Sequence, residues 1–224
     1  MGDVIRNLDW SVLTNILLSI IPALFCITIH ELAHGYIAYR LGDTTAKDLG
    51  RLTFNPVKHI DIFGLIMMVV VRFGWAKPVP VNMKRFKNPK QGMAITALAG
   101  PVSNILLALV FFFIFGLVYA PLGWGLESGA GTTILNMISR VATLSVALAI
   151  FNILPIPPLD GSKIVFSLLP EATYYKLMKY ERFGMILLML FVWTDVFGAT
   201  IGRATSAVIG WFSGVFVFAY NLVN

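Results

Sequence analysis

The chain has 224 residues, 58% of them hydrophobic and 12% charged, with a mean hydropathy of +0.81. Soluble domains carry roughly a quarter charged residues, so this composition excludes an ordinary soluble domain and indicates an integral membrane protein. The net charge is +6 and the pI about 9.6, but the basic residues lie in connections between apolar runs and no arginine-rich tract is present, which argues for membrane orientation and against nucleic-acid binding.

The expected fold is all-α and polytopic: one membrane-embedded domain over 1–224, with about five full transmembrane helices at about 20 residues per crossing. The apolar runs are continuous rather than alternating, which disfavours a closed β-barrel. The opening "MGDVIRNLDW" mixes acids with one Arg, and no small-residue site follows, so it does not read as a cleavable signal peptide. Arg6 stands where a myristoylation motif needs Ser or Thr.

The first span is expected over 12–39. The apolar stretch 62–71 is about ten residues, too short to cross as a helix, and reads as a re-entrant or interfacial segment. The flanking "GRLTFNP" (50–56) and "GWAKPVPVN" (74–82) are rich in Gly, Pro and β-branched residues and are expected to be extended. A second span is expected over 94–120 and a third over 132–154. Prolines at 155, 157 and 158 must end that helix. A short helix over 162–169 and two further spans, 183–199 and 207–223, complete the chain.

Arg72, Lys77, Lys84, Arg85, Lys87 and Lys90 crowd one connection, and Lys163, Lys176, Lys179 and Arg182 another, whereas 121–131 has no Lys or Arg. The positive-inside rule places 72–91 and 155–182 in the cytosol, with Arg6 and Arg203 on the opposite side. In this topology the inner half of the first span and the start of the 155–161 turn share one membrane depth.

The candidate chemistry lies in "CITIHELAHG" (26–35). His30 and His34 are four apart, so a helix puts them on one face, where two imidazole nitrogens can reach a single zinc at about 2.0–2.1 Å. Glu31 is rotated about 100° from His30 and can accept a proton from water beside the metal without ligating it. The bland alternative is a histidine pair bonding between helices with Glu31 as a structural partner. Ionisable groups at membrane depth cost about 2.5–3.5 kcal/mol on insertion scales and are functional by default.

A catalytic zinc takes a third protein ligand. His59 is one candidate, although its neighbours Lys58 and Asp61 suggest a wet interface. Asp160 is the better one, because a turn after three prolines and before Gly161 can aim it inward; an ordinary Pro-x-Asp-Gly turn is its alternative reading. Asp195 is the remaining acid at depth. Cys26, the single cysteine, excludes an internal disulfide and lies one turn before His30, either near the metal or as a small core residue.

"HELAH" in a first span, "GPVSN" (100–104) opening a second and "FNILPIPPLDG" (151–161) ending a third resemble the site-2 protease family of intramembrane zinc metalloproteases, with "GRLTFNP" and "GWAKPVPVN" similar to its small prokaryotic members. The resemblance covers nearly the whole chain. It implies one Zn2+ held by His30, His34 and Asp160, with Glu31 as catalytic base. It also implies Asn104 and Asn152 in or beside the active site. Either asparagine can hold a substrate carbonyl or oxyanion, or tie helices together. The 224 residues leave no room for a PDZ or CBS domain of the kind some relatives carry.

The implied activity is hydrolysis of peptide bonds within or near transmembrane segments of membrane-protein substrates, from a multi-pass cell-membrane protein whose site faces the cytosol. Partners are then a transmembrane protein substrate and the lipid bilayer; a homo-oligomer is left open. An unwound substrate strand could pair with 50–56 or 74–82 by β-addition. The rival of a different class is a zinc or other divalent-metal membrane transporter, which would usually show internal repeats and broken helices; neither is visible here.

Overall fold

The computed structural model describes residues 10–71, 74–123 and 129–223. The readings made on the N-terminal segment with Arg6, on Arg72 and on residues 124–128 lie outside these, as do the side chains of Arg182 and Asp195.

The chain forms α1 (Trp10–Arg40), a short α2 (Thr45–Asp48), a 3-10 turn (Pro56–His59), α3 (Ile62–Val71) and a second 3-10 turn (Met83–Arg85). α4 (Pro89–Gly123), α5 (Gly129–Ile153), a short α6 (Asp160–Phe166), α7 (Glu171–Val192) and α8 (Asp195–Asn221) follow. The protein is an all-α polytopic membrane protein. Among the described residues, four helices have stretches long and apolar enough to cross a bilayer: Leu18–Arg40, Pro89–Tyr119, Gly129–Ile153 and Phe197–Asn221.

Of the five expected crossings, the one placed at 183–199 corresponds to Phe183–Val192, a shorter apolar stretch closing α7. The helix break falls at Trp193–Thr194, not at 200–206. Thr194 caps α8 by accepting a hydrogen bond from the Phe197 N–H at 3.3 Å. A hydropathy window does not register a single capping side chain, and Arg203 is carried within α8.

α3 is preceded by Asp61, whose carboxylate accepts from the Gly64 N–H at 2.9 Å. Its ten residues rise about 15 Å, half of a hydrocarbon core about 30 Å thick. The chain then returns: the Lys77 N–H donates to the His59 carbonyl at 2.9 Å. The expected extended segments do not form β-strands among the described residues. Residues 52–54 bend, and Pro78 and Pro80 deprive 74–82 of the donors a ladder needs.

α4 is the central helix, against which α1, α5, α6 and α8 pack. Small residues permit the close approach: Ala108 of α4 and Ala142 of α5 are fully buried with Phe112 and Val146, and Val208, Ile209 and Phe212 of α8 close over them. Cys26 lies at the α1–α5 contact, its thiol 3.2 Å from the Ser145 hydroxyl, and so belongs to helix packing. Beyond the apolar bundle, the Thr44 hydroxyl and the Arg85 guanidinium hold the Asp48 carboxyl below its ordinary range.

At the α4–α8 crossing, a Cβ on Gly116 would overlap the Phe216 carbonyl and the Ala219 methyl, whereas one on Gly210 would meet open space. Gly116→Ala is therefore expected to destabilise the protein by about 1–3 kcal/mol through overpacking. Gly210→Ala is expected to leave it unchanged or gain up to about 1 kcal/mol from helix propensity. Thermal unfolding in detergent distinguishes the two.

Candidate metal centre

His30 and His34 project from one face of α1, as their spacing dictates. Their Nε2 atoms lie 3.0 Å apart, with the rings edge to face at a centroid distance of 4.5 Å. Asp160 reaches them from the first turn of α6. Its Oδ2 is 3.1 Å from His30 Nε2 and 3.0 Å from His34 Nε2. All three residues are buried.

Two glycines permit this convergence. A Cβ on Gly161 would overlap the Ile153 and Leu154 carbonyls, so α6 can start tight against the end of α5 only with glycine beside Asp160. A Cβ on Gly100 would fall 2.5 Å from His30 Cε1 and against the His34 ring. The glycine of the G-P-V-S-N stretch therefore lets α4 approach the imidazoles themselves.

The hydrogen bonds behind the imidazoles set their tautomers. The Thr96 carbonyl can only accept, so His34 donates through Nδ1–H at 2.7 Å and keeps its Nε2 lone pair for the cluster. His30 Nδ1 lies 3.2 Å from the Asn104 amide. Asn104 Oδ1 is buried without a partner; turning the amide places this oxygen on Nδ1–H and frees His30 Nε2 in the same way. α4 thus supplies an acceptor behind each ring.

The donor set fits a metal ion. Asp160 Oδ2 is buried and has no hydrogen-bond partner, although it faces two nitrogens whose lone pairs point toward it. Among the described residues, His30, His34 and Asp160 form the one group of three or more His, Cys, Asp or Glu side chains arranged to share an ion. Two imidazoles and a carboxylate suit zinc and leave a fourth tetrahedral position.

Glu31 sits beside this group, its Oε2 accepting from the Val79 N–H at 2.8 Å. Glu31 and His30 line a cleft of about 370 Å³ between α1, residues 56–65 and 74–78, the end of α5, and α6–α7. Its walls are mostly apolar, with Trp75, Leu148, Phe151 and Leu188 among them. Asn152 also lines it and donates to the Leu148 carbonyl of its own helix at 2.9 Å. Asn104 is 0% exposed and stands behind His30, away from the cleft.

His59 lies outside the cluster. It is buried, not wet, and donates through Nε2–H to the Thr53 carbonyl at 3.0 Å. The side chain of Asp195 is not among those described. Sequence reasoning missed Lys163, whose ammonium stands 4.0 Å from Asp160 Oδ1 and 3.6 Å from Glu181. Its position three residues after Asp160, on the same helical face, was the available signal.

Four membrane-length helices among the described residues, together with a buried His-His-Asp group, define a polytopic membrane metalloprotein. The profile of Peptidase family M50 matches residues 18–194, and the chain belongs to that family: it is a zinc metalloendopeptidase of the site-2 protease type, with Zn2+ as cofactor. It is 44% identical over 176 residues to a Bacillus subtilis (strain 168) protein named "Putative zinc metalloprotease YwhC", covering 77% of this chain and 79% of that one. A Mycolicibacterium smegmatis protein named "Putative zinc metalloprotease Rip2" is 26% identical over 215 residues, covering 94% and 78%. "Zinc metalloprotease RasP" of Bacillus licheniformis is 28% identical over 169 residues, covering 71% of this chain and 35% of its own length. No solved structure gives a significant match.

Asn104→Ala is expected to weaken zinc binding about ten- to a hundredfold by releasing the His30 ring. Gly100→Ala is expected to lower bound zinc further by pushing on both rings. Metal content of the purified variants after dialysis against graded chelator checks both.

Proposed function

We propose that this chain hydrolyses peptide bonds within or near the transmembrane segments of membrane-protein substrates, and that 1–224 acts as a single membrane-embedded protease domain. His30, His34 and Asp160 would hold the zinc, and Glu31 would be the general base. The observation that carries this reading is the partnerless Asp160 Oδ2 between two Nε2 atoms, beside a carboxylate that lines an apolar cleft.

When bound, zinc supplies Lewis-acid polarisation of a carbonyl oxygen and lowers the pKa of water to about 7. The rest falls to the chain's own residues. Glu31 holds the Val79 amide with Oε2, leaving Oε1 to take a proton from the attacking water and return it to the leaving nitrogen. Asn104 fixes the His30 ring rather than contacting substrate, and Thr96 does the same for His34. Asn152 lines the cleft, where its Oδ1 can accept from a substrate N–H. The apolar walls favour a substrate segment that itself comes from lipid, unwound where it meets Glu31.

The site would face the cytosol. Lys77, Lys84, Arg85, Lys90 and Lys163 belong to the segments that meet at the His-His-Asp end of the bundle, and clustered Lys and Arg mark the cytosolic side. Water then has a short route to the cleft. This orientation and the choice of substrate extend beyond family membership; the basic end of the bundle supports the first and the apolar walls of the cleft the second.

Glu31→Gln is expected to retain bound zinc and to lower cleavage of a reconstituted single-span substrate by about a hundredfold or more. Cleavage at the wild-type rate would remove Glu31 from the reaction. Product mass spectrometry on wild type and variant, with metal content measured in parallel, reads both quantities.

A further inference from the structure

Residues 77–82 have no regular secondary structure, yet they are pinned to the rest of the chain at four points. The Lys77 N–H donates to the His59 carbonyl at 2.9 Å. Arg51 reaches across with Nη2 to the carbonyls of Lys77 at 2.8 Å and Pro78 at 3.3 Å. The Val79 N–H donates to Glu31 Oε2 at 2.8 Å. The Asn82 N–H donates to Asp43 Oδ2 at 2.6 Å.

Two of the charged anchors, Asp43 and Arg51, are buried. Asp43 is 0% exposed; it also accepts from the Thr45 N–H at 3.0 Å and lies 4.0 Å from Arg85 Nε. Arg51 is buried, and its Nε has no partner. A buried charge is costly unless its geometry is held tightly, so neither residue is an incidental surface contact. Both stand outside the His-His-Asp group.

The sequence of the strap adds a second observation. In Pro78-Val79-Pro80 both prolines lack an N–H. Val79 therefore carries the only backbone donor of the three, and that donor is aimed at Glu31. The Val79 side chain is buried over α1, where a Cβ on Gly35 would lie 3.0 Å from its Cγ1.

We infer that Arg51 and Asp43 are positioning residues: they hold the 77–82 strap so that the Val79 amide fixes one oxygen of Glu31 and leaves the other facing the cleft. This rests on the reading of Glu31 as the base. The strap then sets the geometry of the base, and Pro78 and Pro80 offer no N–H to a pairing substrate strand. A carboxylate free to turn would spend part of its time away from the attacking water, and the loss would fall on turnover rather than on binding.

The test replaces Val79 by its α-hydroxy acid through nonsense suppression in the full-length, zinc-loaded protein. This turns the 78–79 peptide bond into an ester and deletes the N–H while keeping the side chain. Loss of a hydrogen bond to a charged group predicts a fall in kcat of about ten- to a hundredfold. KM should change by less than about threefold, and zinc content should not change. The same ester at Val81 should leave kcat near the unmodified value. Arg51→Gln should lower kcat in the same way, and Arg51→Lys should recover part of it.

An unchanged kcat in the Val79 ester would overturn the inference. So would a raised KM with kcat kept, or a loss of zinc, either of which would make the strap a substrate contact or a purely structural cover. Glu31→Gln separates the two levels. If that variant still cleaves, the base reading itself fails; if it is dead while the Val79 ester turns over normally, only the positioning role fails.

Discussion

One carboxylate oxygen, Asp160 Oδ2, lies within 3.1 Å of two imidazole nitrogens inside a chain built to sit in lipid. Most of the architecture around it serves that meeting. α6 can bring Asp160 inward because its next residue is a glycine packed against the carbonyls that end α5. α4 can back both histidines because Gly100 lets it approach their rings, and because Thr96 and Asn104 present acceptors at the correct heights. Glu31 lies within the membrane-length stretch of α1, and a charged side chain at the centre of a membrane helix costs about 2.5–3.5 kcal/mol on insertion scales.

The fold divides into two regions with different physics. The bundle of α1, α4, α5 and α8 is apolar and packs through small residues such as Ala108, Ala142 and Gly116. The end that carries the candidate site is polar and irregular, with short helices, 3-10 turns and a strap tied down by Arg51 and Asp43. Irregular backbone at membrane depth is tolerated where it is buried in protein or lines a cavity. Here it does both, since Trp75, Ala76 and Pro78 line the cleft while their neighbours are pinned from behind.

Much of this could be read from the residues. Continuous apolar runs announced membrane helices, and the four-residue spacing of His30 and His34 placed both rings on one face. The turn after three prolines was expected to aim Asp160 inward toward those rings, and its Oδ2 lies within 3.1 Å of both. The break at Trp193–Thr194 was not legible, because one capping hydroxyl decides it while a hydropathy window averages over many residues. The extended stretch 74–82 forms no ladder because prolines at 78 and 80 remove donors, a rule about hydrogen atoms that composition conceals. Asn104 was legible as a polar residue in a span, but whether it faced substrate or a histidine depended on how α4 rotates against α1. The contacts of Val79, Arg51 and Asp43 are hydrogen bonds between a side chain and the backbone of a distant segment, which sequence patterns do not encode.

X-ray absorption at the zinc edge of the purified protein tests the central claim most directly. The account predicts a light-atom shell of nitrogen and oxygen with outer-shell scattering from two imidazoles, reduced to a site lacking its carboxylate in Asp160→Ala. A sulfur ligand, which only Cys26 or a methionine could supply, would contradict it, as would a third imidazole from His59 or a spectrum unaffected by loss of Asp160.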